Sequence, residues 1–445
     1  MGLTGLDIFK QLPKTNCGEC GVPTCLAFAM KLAQKQASLD QCPHVSEEAK
    51  AALAGASAPP IKLITVGVGE RKLEIGNETV LFRHEEQFYH PTGLAVLVDA
   101  SLPEGELAAR VTAVGEAKFE RVGQVLQLDA VALRGDGDDF VKGARVAAEK
   151  SVVPLILING DPDAMGQALA VCAEKRPLIY AADAGNVEAM TALAKQHECP
   201  LAVRGEDLSS LAALSEKAQA EGAAGLVLDP GAGTIAQALT SQTAIRRAAL
   251  RKRFRPFGFP TISFTRSGHP ADEVIEAATY IAKYAGIVVL QRMEPWQLLA
   301  LMTVRQNIYT DPQKPIQIKE GVYQIGTPDE TSPVLVTTNF SLTYFTVEGD
   351  VEASKVPAWV VVVDTEGTSV LTAWAAEKFT AEIIAKKVLE FDVASKVKHR
   401  KLILPGHVAV LSGKLEDELS QEWKVLVGPR ESSGIPGFFR TSWQG

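Results

Sequence analysis

Cys17, Cys20, Cys25 and Cys42 stand in a C-x2-C-x4-C-x16-C spacing, with Gly18 and Gly21 on either side of Cys20 and Pro43 after the last thiol. Four thiolates are the complete ligand set of a 4Fe–4S cluster or of a closed zinc site. Glycines beside Cys20 let the backbone fold back so that neighbouring sulfurs converge on one object. A zinc ribbon pairs two short C-x2-C knuckles, whereas this set has one, which favours the iron–sulfur cluster over structural zinc or four free thiols. His44 follows two residues after Cys42 and reads as a second-layer or surface residue, since four sulfurs already fill the site. Cys172 and Cys199 are isolated and read as buried or incidental thiols.

Other residue patterns narrow the chemistry further. A G-x-G-x-x-G fingerprint and a Walker loop are both absent, which disfavours nucleotides. Asp99, Asp129, Asn159, Asp183, Asp207 and Asp229 fall at expected strand ends, where helix capping explains them better than catalysis. Arg246, Arg247, Arg251, Lys252, Arg253 and Arg255 make the one dense basic run, read as a solvated helix face with docking of an acidic partner as the alternative.

The elements that position these residues follow from hydrophobic periodicity. Leu26 to Leu32 has helical spacing and carries the chain from Cys25 towards Cys42. The small, Pro-ended stretch Leu53 to Pro60 marks the end of a cluster module at residue 58. Ile61–Val66, Lys72–Ile75 and Thr79–Phe82 read as short strands, with a hairpin at Gly76-Asn77. Eight apolar runs then alternate with helical stretches: Leu94–Asp99, Leu126–Leu133, Pro154–Asn159, Pro177–Ala182, Pro200–Arg204, Gly225–Asp229, Pro260–Phe264 and Gly286–Leu290. Three of them recur at a 23-residue interval, at Pro154, Pro177 and Pro200. Such repetition specifies a TIM (β/α)8 barrel over residues 59–310, because parallel strands buried on both faces read as continuous apolar runs.

A proline-containing linker follows, 311–324 at its narrowest, with four prolines between Asp311 and Pro333. Residues 325–445 form a small Rossmann-like α/β domain. Its expected strands are Val334–Thr338, Trp359–Asp364, Leu402–Leu404, His407–Leu411 and Trp423–Val427, with Leu371, Ala375, Phe379 and Ile383 as the apolar stripe of an intervening helix. The loops at their carboxyl ends are rich in Gly, Ser and Thr and poor in charge, which suits a large neutral ligand better than a polyphosphate.

Composition sets the outer bounds. The chain has 445 residues, 46% hydrophobic and 22% charged, so two or three packed units are expected. A net charge of -8 opposes broad attraction to nucleic acid or to an anionic membrane. No apolar run approaches the roughly 20 residues of a membrane helix. Met1-Gly2-Leu3-Thr4 lacks the basic and apolar regions of a secretory signal, and the expected location is cytoplasmic.

The run from Asp7 to Cys25, DIFKQLPKTNCGECGVPTC, resembles the cluster signature of the large (gamma) subunits of corrinoid iron–sulfur proteins of the reductive acetyl-CoA (Wood–Ljungdahl) pathway. The order of cluster module, barrel and C-terminal α/β domain extends the likeness over essentially the whole chain. The resemblance implies a base-off, cobalamin-type corrinoid in the C-terminal domain, contacted by the loops at Asn339, Thr346, Thr368, Ser369, Val370, Leu371, Thr372, Ser433 and Gly434. Many corrinoid carriers supply a cobalt-ligating histidine from D-x-H-x-x-G, and none of the seven histidines here lies in one. His407 is the nearby alternative ligand.

The implied function is methyl carriage. Cobalt accepts a methyl group from methyl-tetrahydrofolate through a separate methyltransferase and donates it to acetyl-CoA synthase, while the cluster reductively reactivates Co(II) to Co(I). Implied partners are a smaller corrinoid iron–sulfur protein subunit in a heterodimer, the methyltransferase, acetyl-CoA synthase and a ferredoxin-type electron donor. No residue of the chain takes a catalytic role; it is a carrier subunit of a methyltransferase system more than a stand-alone enzyme. Two other readings stand beside it: a barrel methyltransferase binding methylpterin itself through Asp99, Asp129 or Asn159, and a flavin and iron–sulfur electron-transfer protein.

Overall fold

A computed structural model describes residues 5–33, 37, 41–46, 49, 59–312 and 315–443. The expected module boundary at residue 58 lies outside them. Two compact units emerge: Met1–Leu81 with Thr92–Thr112 and Asp129–Arg292, and Phe82–Pro91 with Ala113–Leu128 and Met293–Gly445.

In the first unit, helices Gly5–Gln11 and Cys25–Ala33 pack around a small core containing Ile8, Leu12, Val22 and Phe28. Strands β1 (Ile64–Val66) and β2 (Leu73–Ile75) then form an antiparallel pair. The expected hairpin at Gly76-Asn77 and the strand at Thr79–Phe82 are not formed; the turn lies earlier, between Val66 and Leu73. The reason is packing. Leu73 fills the space beside Gly93, Ile64 lies against Gly225 and Gly67 against Pro154, so the β1–β2 hairpin covers the ends from which the barrel strands start.

The barrel closes as expected, with all eight strands parallel. It opens with β3 (Gly93–Asp99). An antiparallel ribbon of β4 (Lys118–Arg121) and β5 (Gln124–Gln127) precedes β6 (Ala130–Arg134) in the chain. There follow β7 (Leu155–Ile158), β8 (Leu178–Ala182), β9 (Leu201–Arg204), β10 (Leu226–Asp229), β11 (Thr261–Phe264) and β12 (Ala285–Leu290), and β12 pairs with β3. The run Leu126–Leu133 is therefore two elements, broken at Leu128-Asp129. Asp129 consequently sits at the start of β6 rather than at a strand end, where its carboxylate accepts the Leu94 N–H at 2.8 Å.

The other strand-end polar residues close local turns or caps. Asp207 makes a reciprocal capping box with Ser210, Asp99 accepts from the Ser101 amide at 3.0 Å, and Asn159 accepts from the Asp161 amide at 2.7 Å. Arg246 departs from the solvated-face expectation. It is buried on the helix Ile235–Lys252, paired with Glu78 at 3.3 Å and placed over the Tyr284 ring, while Arg247, Arg251 and Lys252 stay exposed.

The second unit holds a sheet of five strands: β13 (Gly321–Ile325), β14 (Val334–Thr338), β15 (Ala358–Val363), β16 (Lys401–Leu404) and β17 (Lys424–Val427), in the order β13-β15-β14-β16-β17. Four are parallel, and β13 runs antiparallel at the β15 edge. β13 arises within the stretch expected to be a linker. His407–Leu411 is not a strand but a 3-10 turn, since the Gly406 N–H donates to the Pro429 carbonyl of the loop after β17 and the Val408 N–H to the Pro405 carbonyl, which places Val408 in the core and Val410 in solvent. The expected single helix is two, Val370–Ala375 and Ala381–Glu390, with Phe379 buried in the turn between them and Leu371 exposed.

Candidate functional site

Two places in the chain gather the chemistry-bearing residues. At the N-terminus, Gly18 and Gly21 adopt φ of +77° and +78°, the left-handed conformation that returns the chain past Cys20. The Gly21 N–H donates to the Gly18 carbonyl at 3.0 Å, closing that turn. Cys20, Cys25 and Cys42 belong to one apolar cluster; Cys25 and Cys42 are buried and Cys17 is exposed. Asn16 fixes the entry to the helix: its side-chain oxygen accepts the Cys25 N–H at 2.8 Å, and its own N–H points at the Cys25 sulfur at 3.4 Å. An N–H aimed at a thiolate sulfur is the contact by which a protein tunes a cluster potential. His44 lies on the outer side, its Nε2 3.0 Å from Glu19, both within 4.8 Å of the Cys17 sulfur. The donor set, three thiols on one short glycine-turned segment with Cys42 packed into the same core, has the chemistry of an iron–sulfur cluster.

The second place is a cleft of about 400 Å³ at the carboxyl ends of β14 and β16. Chain order reverses there, because β15 follows β14 on one side and β16 lies on the other. β14 pairs with β15 over five residues but with β16 only at Leu335 and Ile403, so the two strands part beyond that point. A topological switch point is where open α/β sheets take ligands. The cleft is mainly apolar, walled by Leu335, Phe340, Leu342, Leu371 and Pro405, and Leu342 and Leu371 are exposed leucines. The Thr337 hydroxyl on this wall is buried and has no hydrogen-bond partner among the described residues, and the same is true of those of neighbouring Thr338 and Ser341. A buried hydroxyl without a partner costs free energy that a bound acceptor or donor would offset.

Thr346, Ser369, Val370 and Leu371 line this cleft, and Thr372 holds Ser369 through a 3.2 Å hydroxyl contact. Thr346 presents its methyl group, since its hydroxyl donates to the Leu342 carbonyl at 2.6 Å. Asn339, Thr368, Ser433 and Gly434 are not among the lining residues. Asn339 is instead a buried fastener, donating to Asp364 at 2.8 Å and accepting the Thr365 and Gly367 amides at 3.0 Å each. Ser433 and Gly434 lie in the turn that brings Ser432 and Ile435 to the wall. Phe340 and Leu342 fall inside the expected Asn339–Thr346 loop, whereas Thr337 and Pro405 lie outside the expected loops; the available signal for these two is their position at the ends of apolar runs. His407 also lines the cleft, 3.4 Å from the Glu431 carboxylate.

Comparisons with known proteins agree with this layout. A family model described as CO dehydrogenase/acetyl-CoA synthase delta subunit matches residues 63–439, and an Fe-S cluster model matches residues 12–44, the span of all four clustered cysteines. The chain is 51% identical to the corrinoid/iron-sulfur protein large subunit of Moorella thermoacetica, covering 99% of each. It is 39% identical to the acetyl-CoA decarbonylase/synthase complex subunit gamma of Methanopyrus kandleri, over 98% of this chain and 97% of that one. The same subunit of Methanothermobacter thermautotrophicus is also 39% identical, over 98% of both chains.

Proposed function

Because the chain belongs to the family of corrinoid/iron–sulfur protein large subunits and acetyl-CoA decarbonylase/synthase gamma subunits, we propose that it is the methyl-carrying subunit of such a system. The corrinoid supplies a cobalt that takes up and releases a methyl group, and a 4Fe–4S cluster supplies the electron that restores an oxidised cobalt. The observation that carries the reading is the cleft at the β14–β16 switch point, with its apolar walls and the unpartnered Thr337 hydroxyl. A cleft of this size grips one side of a macrocycle and leaves the rest to a partner subunit or solvent.

The chain's own residues have defined tasks in this proposal. Leu342, Val370 and Leu371 bury apolar edge, Thr337 and Ser369 offer hydroxyls, and Gly428 brings backbone close to the ligand. Asn339 and Thr368 hold the loop after β15 in shape, Thr368 through a 2.7 Å bond to the Thr365 carbonyl. His407, 3.4 Å from the Glu431 carboxylate, would stay off the metal in this reading, and a corrinoid held here would supply a readily reduced cobalt. Cys17, Cys20, Cys25 and Cys42 hold the cluster. The partners are a smaller corrinoid iron–sulfur subunit, a methyl-tetrahydrofolate methyltransferase, acetyl-CoA synthase and a ferredoxin-type donor.

The test is the spectrum of protein purified without oxygen. Corrinoid and iron–sulfur absorption together, with a base-off Co(II) paramagnetic resonance signal unchanged in His407→Ala, is the expected result. Flavin absorption instead of corrinoid would sink the carrier reading. Axial nitrogen splitting that vanishes in the variant would overturn the unligated cobalt.

A further inference from the structure

The barrel has its own cavity, of about 510 Å³, at the carboxyl ends of its strands, and neither the cluster nor the cleft accounts for it. The β1–β2 hairpin covers the opposite end, so this mouth is the accessible one. Four arginines line it, Arg134, Arg204, Arg266 and Arg292, and no carboxylate is among the lining residues. Each arginine ends or follows a different strand, β6, β9, β11 and β12. Three of them have a carboxylate within 4.0 Å behind the wall, Asp99, Asp229 and Glu273, which leaves the Arg266 charge uncompensated at the mouth and open to an oxyanion.

The hydrogen bonds divide the four by task. Arg292 is committed to structure, donating to Glu273 at 2.8 Å and to the Ser267 and Gly268 carbonyls at 3.2 and 2.6 Å. Arg134 and Arg204 are half-exposed and lie 3.7 Å from Asp99 and 3.8 Å from Asp229, too far for hydrogen bonds. Asp229 is itself occupied by the Tyr180 hydroxyl at 2.5 Å and the Gly231 amide at 2.8 Å. The Arg266 guanidinium has no hydrogen-bond or ion-pair partner among the described residues.

The loop that carries Arg266 is braced from beneath. Buried Glu276 accepts the Arg266 and Ser267 amides at 2.8 and 3.1 Å, and buried Glu273 accepts the Thr265 hydroxyl at 2.9 Å and the Gln291 amide at 2.6 Å. Beside Gly268 there is open space, since a Cβ there would meet nothing within 4 Å. Then the helix Pro270–Ala282 begins, with Asp272 and Glu273 in its first turn, so its dipole is already met by carboxylates and the anion must be held by the arginines. Loops after the seventh and eighth strands are where barrels of this kind frequently hold phosphate groups, and Arg266 and Arg292 stand on these two loops.

We propose that the barrel mouth binds a small molecule bearing a phosphate or pyrophosphate group, gripped by Arg134, Arg204 and Arg266 on a loop preset by Arg292, Glu273 and Glu276. The guanidinium fork matches phosphoryl oxygens in pairs, which a lysine point charge would not. This site is independent of the methyl-carrier reading.

The probe is pyrophosphate, titrated calorimetrically into the full-length protein with its cofactors, with succinate as the carboxylate comparison. Saturable pyrophosphate binding, weakened about tenfold or more in Arg266→Gln and in Arg204→Gln but unaltered in the exposed control Arg145→Gln, is expected. In the unsubstituted protein, pyrophosphate should also shield Arg134, Arg204 and Arg266 from phenylglyoxal, read by peptide mass spectrometry. Absence of both saturable binding and shielding overturns the proposal, as does binding indifferent to both substitutions. Tighter binding of succinate overturns the phosphate assignment.

Discussion

At the scale of single residues, the informative groups are those whose burial and bonding conflict. Thr337 is 1% exposed and its hydroxyl has no partner among the described residues, so the fold there carries an unmet polar group. Thr337→Val should stabilise the cofactor-free protein by about 1 kcal/mol and at the same time reduce corrinoid retention on gel filtration. Retention equal to the unsubstituted protein would remove the hydroxyl from the set of contacts. Cys172 shows the opposite case, a group satisfied by burial. It is 1% exposed, its thiol donates to the Ala168 carbonyl at 3.0 Å, and burial pushes its pKa up to about 12 from 9.0. Burial likewise pushes Cys199 up to about 11.

A raised folded-state pKa means that the unfolded thiol loses its proton first. The contribution is therefore constant below pH 9.0 and is lost as pH rises towards about 12. Each such thiol steepens the decline by up to about 1.4 kcal/mol per pH unit. Urea unfolding at several pH values in that window should show a shallower decline in Cys172→Ala than in the parent, and identical slopes would contradict the burial.

At the scale of elements, the cleft depends on how the loop after β15 is held. Asn339 closes the gap between the ends of β14 and β15 with one side chain, accepting two amides and donating to Asp364. Asn339→Ala leaves those groups unpaired in a buried place, at a cost of about 3 kcal/mol, and should loosen Ser369 to Leu371. Thermal unfolding and corrinoid release should both worsen. A stable variant with normal retention would show that the loop holds its shape unaided.

Element boundaries were legible where one physical signal dominated. The barrel strands are apolar on both faces and carry their own length in the sequence, as in the Leu-Ile-Leu-Ile of β7. β13 was hidden because its residues, Gly-Val-Tyr-Gln-Ile, are half-exposed on an antiparallel edge and sit among prolines. His407 to Leu411 alternates like a strand, yet Pro405 and the Gly406 bond to Pro429 turn it into a helical coil.

At the scale of the whole molecule, the proposed function assigns one chain an electron-donating site and a methyl-carrying site, and their separability is testable. Cys42 is buried in the small N-terminal core, so Cys42→Ala removes one of the four proposed ligands and leaves the residues that line the cleft unchanged. Methyl acceptance by protein whose cobalt was reduced beforehand should stay within a few-fold of the parent. Reductive recovery after oxidation should be abolished. Equal loss of both activities would assign the thiols a structural role or a part in methyl transfer itself. Among the described residues, no helix is long and apolar enough to cross a membrane, in keeping with the apolar runs read from the sequence.

What the sequence determined alone was whatever is encoded within a few residues of itself. The cysteine spacing with Gly18 and Gly21 specifies the turn that holds Cys17, Cys20 and Cys25 close together, because the turn and these thiols are near neighbours in the chain. The repeat of strand and helix specifies the barrel, because each strand must be apolar on both faces to stand in a closed parallel sheet. Tertiary structure decided the two cavities. The cleft exists because β14 and β16, remote in the chain, pair at Leu335 and Ile403 and then diverge. The basic mouth exists because barrel closure brings together Arg134, Arg204, Arg266 and Arg292, each a single unremarked residue at the end of its own strand. Periodicity locates a strand and its end, but which ends meet is set by the closure of the sheet, and no local pattern of side chains records it.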